Sequence, residues 1–281
     1  MTTGEGGGFT ISRELRLRIL SALVMIVVTL IVTWVGGFSF RMLCAAVGGA
    51  VFYEWLKMAR ERSTAPERQV TGLLMATVGI IVLLAPGGAL SFVMIGALVV
   101  LAAIAASMLG STRWNAGGLA YAGVAALSLA LLRGEEVDGF KAVIFVFIVV
   151  WATDIMAYFV GRALGGPKLA PAISPGKTWS GAIGGTGFAI LFGLVAAFVM
   201  EAQLSIAALV GLILLLSVVS QIGDLFESWL KRRFAVKDSS KLIPGHGGVM
   251  DRVDGLVAAA LVLYALGAVL ADPDRPALAF F

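Results

Sequence analysis

The chain has 281 residues, of which 59% are hydrophobic and only 14% are charged. A soluble domain carries about 45–50% apolar and about 25% charged residues, so this composition excludes an ordinary soluble fold. The formal charge of +4 at pH 7 by itself says little about partners, and we expect no nucleic acid among them. The single cysteine, Cys44, excludes an intramolecular disulfide, and the sequence has no Cys/His cluster for zinc.

Apolar windows bounded by charged residues or by glycine and proline predict about nine transmembrane helices, because each window approaches the roughly 20 residues needed to cross a bilayer. Their approximate limits are 17–36, 39–56, 69–86, 89–109, 117–133, 140–162, 179–200, 204–231 and 252–271. The glycine-rich residues 4–8 are predicted to form a flexible tail. In the seventh helix, Gly181 and Gly185 form a G-x-x-x-G pattern, which indicates close packing against another helix.

These spans predict an all-α, polytopic integral membrane protein. Transmembrane helices 1–5 occupy residues 1–136, and helices 6–9 occupy residues 137–281. Polar residues inside helices are concentrated in the second half, and polar groups at membrane depth must face a cavity or other helices. We therefore predict a polar cavity among helices 6–9.

The basic residues orient the protein. Nine spans place the termini on opposite sides, and 17 of the 21 Lys and Arg residues then fall on the N-terminal side, leaving Arg41, Arg133, Lys141 and Arg275 on the other. The positive-inside rule predicts a multi-pass protein of the cell (cytoplasmic or inner) membrane with its N-terminus in the cytoplasm. Loops 162–178 and 231–252 then lie on the cytoplasmic side, where nucleotides are available.

Asp154 lies inside the sixth helix, with Tyr158 and Arg162 following at four-residue steps on the same face. One interpretation places Asp154 in the polar cavity. The alternative is a buried ion pair between Asp154 and Arg162, and the spacing allows both.

The following loop ends in a cluster of polar residues, Ser174, Lys177 and Thr178, at the predicted start of the seventh helix. Free N–H groups and the helix dipole favour an anion at such a position. Gly176-Lys177-Thr178 is similar to the end of a nucleotide P-loop, but Pro171 stands where that motif needs glycine, so we reject a Walker motif.

The eighth helix changes from lipid-like to polar along its length. Its polar residues share one face at steps of three or four: Ser217, Ser220, Gln221, Asp224, Glu227, Ser228 and Lys231. A carboxylate near mid-membrane costs about 2.5–3.5 kcal/mol on insertion scales, so Asp224 needs a partner. That partner is either a basic residue, in an ion pair that serves packing, or a ligand that serves function.

The loop after Lys231 contains Pro244 and three glycines, which favour an irregular backbone able to approach an anion closely. Asp251 and Asp254 follow at i and i+3 in the first turn of the ninth helix. Asp251 could serve only as an N-cap or a dipole partner. Together with Asp224 on the preceding helix, it suits Mg²⁺, which takes one or two carboxylates and leaves positions for substrate phosphates.

Basic residues surround these acids: Lys231, Arg232, Arg233, Lys237, Lys241 and Arg252. Each alone is an ordinary topology signal. With two acids and a glycine loop, the set predicts a site for a polyphosphate.

The stretch "SWLKRRFAVKDSSKLIPGHGGVMDRVD", Ser228 to Asp254, resembles the signature of the phosphatidate cytidylyltransferases, also called CDP-diacylglycerol synthases. The signature positions are occupied by Ser228, Lys231, Arg232, Lys237, Asp238, His246, Gly247, Gly248, Asp251, Arg252 and Asp254. "SPGKTW" and "SQIGDLFES" are similar to the family as well, and the resemblance covers about 150–260.

The resemblance implies a membrane enzyme that makes CDP-diacylglycerol and pyrophosphate from CTP and phosphatidate, with Mg²⁺. It implies metal ligands at Asp224 and Asp251, a homodimer, and a monovalent cation such as K⁺ near the Mg²⁺. We assign catalytic roles to Asp224, Asp251, Lys237, Arg252 and His246. Substrate binding is assigned to Asp154, Ser174, Lys177, Thr178, Ser228, Lys231, Arg232, Gly247, Gly248 and Asp254. His246 is either a phosphate or cytosine donor or a residue that orders its loop, and Glu54, beside Trp55, is interpreted as interfacial.

Two other functions remain as alternatives. A CTP-dependent lipid kinase would transfer the γ-phosphoryl group and release CDP. A transporter would use the intramembrane acids to move an ion or solute, but transporters often show paired broken helices in both halves, and polarity here is confined to the second half.

Overall fold

A computed structural model describes residues 13–281 and, within them, contains nine α-helices at the predicted places. The predicted glycine tail lies outside the described residues. The helices are α1 (Arg13–Val35), α2 (Gly37–Met58), α3 (Ala65–Leu84), α4 (Gly88–Met108), α5 (Trp114–Arg133), α6 (Val137–Leu164), α7 (Trp179–Val199), α8 (Ile206–Arg233) and α9 (Met250–Leu270). The all-α prediction is confirmed.

Eight of the described helices are long and apolar enough to cross a membrane, and α2 is the exception. Nevertheless α2 runs between the same two ends of the bundle as α5. At one end Arg41 of α2 pairs with Glu135, just after α5, at 2.7 Å. At the other end the Trp55 indole donates to the Trp114 carbonyl, at the start of α5, at 2.8 Å. The polar residues that lower the hydropathy of α2 therefore lie at its ends.

The centre of the bundle is α5, which packs against α2, α3, α4 and α9. Its sequence is rich in alanine, glycine and leucine, because a helix surrounded by others needs small side chains for close approach. At Gly118, an added Cβ would lie 2.5 Å from the Trp55 ring. Since α5 packs against α9, the two predicted halves of the chain share one core.

Small residues also fix the helix pairs of the second half. An added Cβ at Gly181 would lie 2.6 Å from the Ala157 carbonyl of α6, and one at Gly185 would lie 2.5 Å from the Thr153 carbonyl. The packing predicted from the G-x-x-x-G pattern is confirmed. Likewise, an added Cβ at Gly223 of α8 would lie 2.7 Å from the Asp254 carbonyl of α9.

A short antiparallel hairpin between α6 and α7 is the feature that the sequence did not predict. Strand β1 (Lys168–Ala170) pairs with β2 (Ser174–Thr178), with Lys168 opposite Thr178. The Thr178 hydroxyl accepts from the Gly181 amide at 3.1 Å and so caps α7. The hairpin brings Lys177 to the end of the bundle where α6 and α8 also terminate.

Candidate active site

A cavity of about 570 Å³ lies between α6, the hairpin, α7 and α8. Four of the predicted site residues line it: Asp154, Lys177, Thr178 and Asp224. Tyr158, Arg162, Lys168 and Gln221 are further polar residues of its wall. The cavity is thus built from segments that are separated in sequence but meet at one end of the bundle.

Asp224 and Lys177 form an ion pair across the cavity wall, joining α8 to β2. Their side chains remain 29% and 26% exposed, so the pair is open to an entering ligand. Asp224 also accepts from the Ser228 hydroxyl at 3.4 Å. The partner that a carboxylate at this depth requires is therefore Lys177, and a phosphate entering the cavity would compete with Asp224 for the ammonium group.

Two further carboxylates lie beside Asp224. Asp154 is exposed in the cavity. Asp254 belongs to α9, and its backbone carbonyl packs against Gly223 of α8. Both carboxylates lie close enough to interact electrostatically with the negative charge of Asp224 and the positive charge of Lys177. Arg162 donates to the Tyr158 hydroxyl at 2.9 Å instead of pairing with Asp154, so the alternative of a buried Asp154–Arg162 pair is wrong.

Asp251 belongs to a neighbouring network. Its carboxylate accepts from Lys231 at 2.7 Å, from the Ser239 backbone amide at 3.1 Å and from the Gly248 amide at 2.8 Å. Lys231 also pairs with Glu227 at 2.6 Å. The structure therefore connects Asp224 with Lys177 and Asp251 with Lys231, and the two aspartates share none of these partners.

Glu54 of α2, which the sequence places near the membrane interface, has a side chain that is completely buried against neighbouring segments. Its carboxylate accepts four hydrogen bonds, from the Ser239 and Ser240 hydroxyls and the Val249 and Met250 amides, at 2.6–3.0 Å. These donors come from both ends of loop 239–250. An isolated Glu near a helix end carries no sequence signal for partners almost 200 positions away.

His246 and Arg252 order the same loop from outside. The His246 ring lies 2.8 Å from the Ser21 hydroxyl of α1, and the Arg252 guanidinium donates to the His246 carbonyl at 2.8 Å. Neither residue lines the cavity. Of the two interpretations of His246, its position matches the loop-ordering one.

The remaining predicted residues lie around these two networks. Arg232 is exposed and donates to the Ile173 carbonyl in the hairpin turn at 3.4 Å, close to Ser174. Lys237 is exposed, two residues before loop 239–250. Gly247 has a φ of 84°, which only glycine adopts readily.

Gly248 has no room for a side chain, because an added Cβ would overlap the Ser239 hydroxyl and lie 2.5 Å from a Glu54 oxygen. We expect Gly248→Ala to destabilise the protein by about 1–3 kcal/mol, the usual cost of overpacking. Thermal unfolding in detergent measures this. Gly49→Ala is the matched control, since a Cβ there meets nothing within 4 Å; an equal melting temperature for both variants would contradict the close packing.

The fold and the cavity define a polytopic membrane protein with a polar cavity, walled in part by the Lys177–Asp224 ion pair, at one end of its helix bundle. The chain belongs to the cytidylyltransferase family, whose sequence profile it matches over residues 16–270. The family resemblance read from the sequence is thereby confirmed.

Individual relatives carry a more specific name. The chain is 52% identical over 270 residues to the phosphatidate cytidylyltransferase of Brucella suis biovar 1 (strain 1330), an alignment that covers 95% of this chain and 98% of that protein. It is 51% identical to that of Brucella abortus biovar 1 (strain 9-941), with the same coverage. The phosphatidate cytidylyltransferase of Staphylococcus aureus (strain COL) is 31% identical over 255 residues, 86% of this chain and 95% of that one.

Proposed function

We propose that this protein transfers CMP from CTP to phosphatidate, giving CDP-diacylglycerol and pyrophosphate in phospholipid biosynthesis. The observation that carries the proposal is the Lys177–Asp224 pair, which lies in the wall of a cavity large enough for a nucleotide's phosphates. The relatives that are about half identical over nearly the whole chain are named for this activity.

Both substrates can reach the cavity. Exposed apolar or aromatic side chains flank it on α6 and α8: Ile155 is 54% exposed, and Tyr158 and Ile222 are each 58% exposed. These side chains suit contact with acyl chains, so phosphatidate can enter laterally while its tails stay in the bilayer. CTP enters from the end of the bundle that carries the hairpin.

The donor set at the cavity suits Mg²⁺. Within residues 13–281, no group of three or more His, Cys, Asp or Glu side chains has the geometry of a complete metal site. Mg²⁺ commonly takes one or two carboxylates and completes its shell with water and substrate phosphates. Asp224 is the carboxylate best placed to hold it, with Asp254 beside it. Asp251, the predicted second ligand, would first have to release Lys231, Ser239 or Gly248.

In this proposal a phosphatidate oxygen attacks the α-phosphorus of CTP as pyrophosphate departs in line. The nucleophile is already an anion at neutral pH, so no strong general base is required. The chain's residues overcome repulsion between two anions through charge and position. Lys177 transfers its ion pair from Asp224 to a phosphate, and Mg²⁺, when bound, would neutralise charge on the phosphates.

We further propose that the hairpin end of the bundle faces the cytoplasm in the cell membrane. The positive-inside count supports that orientation. A homodimer and a bound monovalent cation such as K⁺ remain predictions from the family resemblance, which size analysis in detergent and replacement of K⁺ by choline during assay would test.

Product identification tests the proposed reaction. Purified protein with CTP, phosphatidate and Mg²⁺ should release pyrophosphate and form a lipid that carries CMP. Release of CDP with a phosphorylated lipid would support the kinase alternative instead. Solute uptake into vesicles without CTP turnover would support a transporter.

A further inference from the structure

We infer that Glu54 is a positioning residue: from α2 it holds both ends of loop 239–250 together and thereby orients Asp251 and Lys231. The effect on catalysis rests on the proposed function, whereas the effect on the loop does not. Glu54 thereby gives the N-terminal half of the chain a specific part in the site.

Glu54 ties two separated pieces of backbone with one carboxylate. Its Oε1 accepts from the Ser240 hydroxyl at 2.6 Å and the Val249 amide at 2.8 Å. Its Oε2 accepts from the Ser239 hydroxyl at 3.0 Å and the Met250 amide at 2.8 Å. Val249 is the N-cap of α9 and Met250 is its first residue, a position where N–H groups have no partner within the helix. Glu54 therefore supplies that partner and fastens the start of α9 to the start of the loop.

Ser239 transmits the position of Glu54 to Asp251. Its hydroxyl lies 3.0 Å from a Glu54 oxygen and 3.0 Å from an Asp251 oxygen, and its single proton is donated to one of them at a time. Its backbone amide also donates to Asp251, at 3.1 Å. Asp251 in turn holds the Lys231 ammonium group at 2.7 Å. A displacement at Glu54 would thus move the aspartate and the lysine of the family signature.

Only a carboxylate satisfies all four donors. In a Glu54→Gln variant the amide NH₂ would face either the Val249 or the Met250 N–H, and two donors cannot bond each other. The substitution keeps the shape of the side chain, so it tests acceptor chemistry and not packing. Glu67→Gln is the matched control, because Glu67 is equally buried near the same end of the bundle and contacts Ser111 and Asn115 instead of the loop.

Trypsin cleavage reports directly on the order of the loop, because Lys237 and Lys241 are exposed on either side of Ser239 and Ser240, which bind Glu54. With full-length protein in detergent, we expect Glu54→Gln to raise cleavage after these lysines about tenfold, as buried donors lose their acceptor. Cleavage after exposed Arg113 serves as the internal reference. Glu67→Gln should cleave at the loop like the wild type.

Steady-state kinetics measure how the loss of the Glu54 hydrogen bonds affects the proposed active site. We expect kcat of Glu54→Gln to fall about 10- to 100-fold, the usual effect of losing an outer-shell partner, with KM for CTP changed by less than about threefold. Ser240→Ala removes one of the four bonds and should show a smaller change of the same kind. It keeps the inference testable if Glu54→Gln fails to fold.

Unchanged loop cleavage in both variants, or an unchanged kcat in a variant whose loop is cleaved faster, would overturn the positioning role. A fall in kcat shared equally by Glu67→Gln would also overturn it, because the effect would then be general destabilisation. A wild-type protein without cytidylyltransferase activity would refute the proposed function. The ratio of trypsin cleavage at the loop to cleavage at Arg113 would still test whether Glu54 holds the loop in place.

Discussion

Asp224→Asn is expected to abolish CTP-dependent transfer, with a fall in kcat on the order of a thousandfold. Asparagine keeps the size of the side chain but removes the charge that pairs with Lys177 and that would bind Mg²⁺. The side chain is 29% exposed at a cavity wall, so the variant should still fold and insert. Initial rates of pyrophosphate release, with monodispersity and melting temperature measured in parallel, test this.

Asp138→Asn is the matched control for this prediction. Asp138 also pairs with a lysine, Lys141 at 3.9 Å, but at the opposite end of the bundle. Its variant should retain near-normal turnover. Substantial activity in Asp224→Asn would remove Asp224 from the reaction, and equal losses in both variants would point to a general effect of removing charge. Asp251→Asn and Asp254→Asn then compare the two candidates for a second ligand.

Lys177→Ala is expected to lower kcat/KM by about a hundredfold, the effect of removing one preorganised charge donor. Lys177 lies in β2, where the hairpin presents its ammonium group to Asp224 and to the cavity. Without it, Asp224 has no ion-pair partner and its uncompensated negative charge would repel CTP, while Arg162 and Lys168 remain as the basic residues of the cavity wall. We therefore expect a higher KM for CTP as well as a lower kcat, measured by CTP titration at fixed phosphatidate.

Lys57→Ala provides the comparison, because Lys57 is an exposed basic residue of α2 that does not line the cavity. Its kinetics should match the wild type. If Lys177→Ala matched the wild type too, Lys177 would have no part in binding phosphates.

Much of this fold is predictable from the sequence because the membrane restricts what each segment can do. Apolar runs of about 20 residues become helices, and the predicted limits of α7, 179–200, differ from the observed Trp179–Val199 by one residue. The packing of Gly181 and Gly185 followed from their spacing alone. The helical periodicity of α8 also placed Gln221 and Asp224 on one face, and both line the cavity.

What the sequence did not show depends on contacts between distant segments. The β1–β2 hairpin was missed because its strands have three and five residues, too short for a periodic pattern. The role of Glu54 depends on donors nearly 200 positions away. For the same reason, spacing placed Asp224 and Asp251 on adjacent helices but did not reveal that Lys177 pairs with the first and Lys231 with the second.

We propose that CTP binds in the cavity between the hairpin, α6 and α8, and protection of an introduced cysteine from labelling tests this binding. Gly176 is exposed in the hairpin and lines the cavity, and a side chain there meets nothing within 4 Å. The native Cys44 is buried and should not react. In a Gly176→Cys protein without phosphatidate, saturating CTP and Mg²⁺ should slow labelling by a charged thiol reagent about tenfold or more. Labelling of a Val137→Cys protein, exposed at the opposite end, should not change. Equal labelling rates of Gly176→Cys with and without CTP would contradict the assignment of the cavity to the nucleotide.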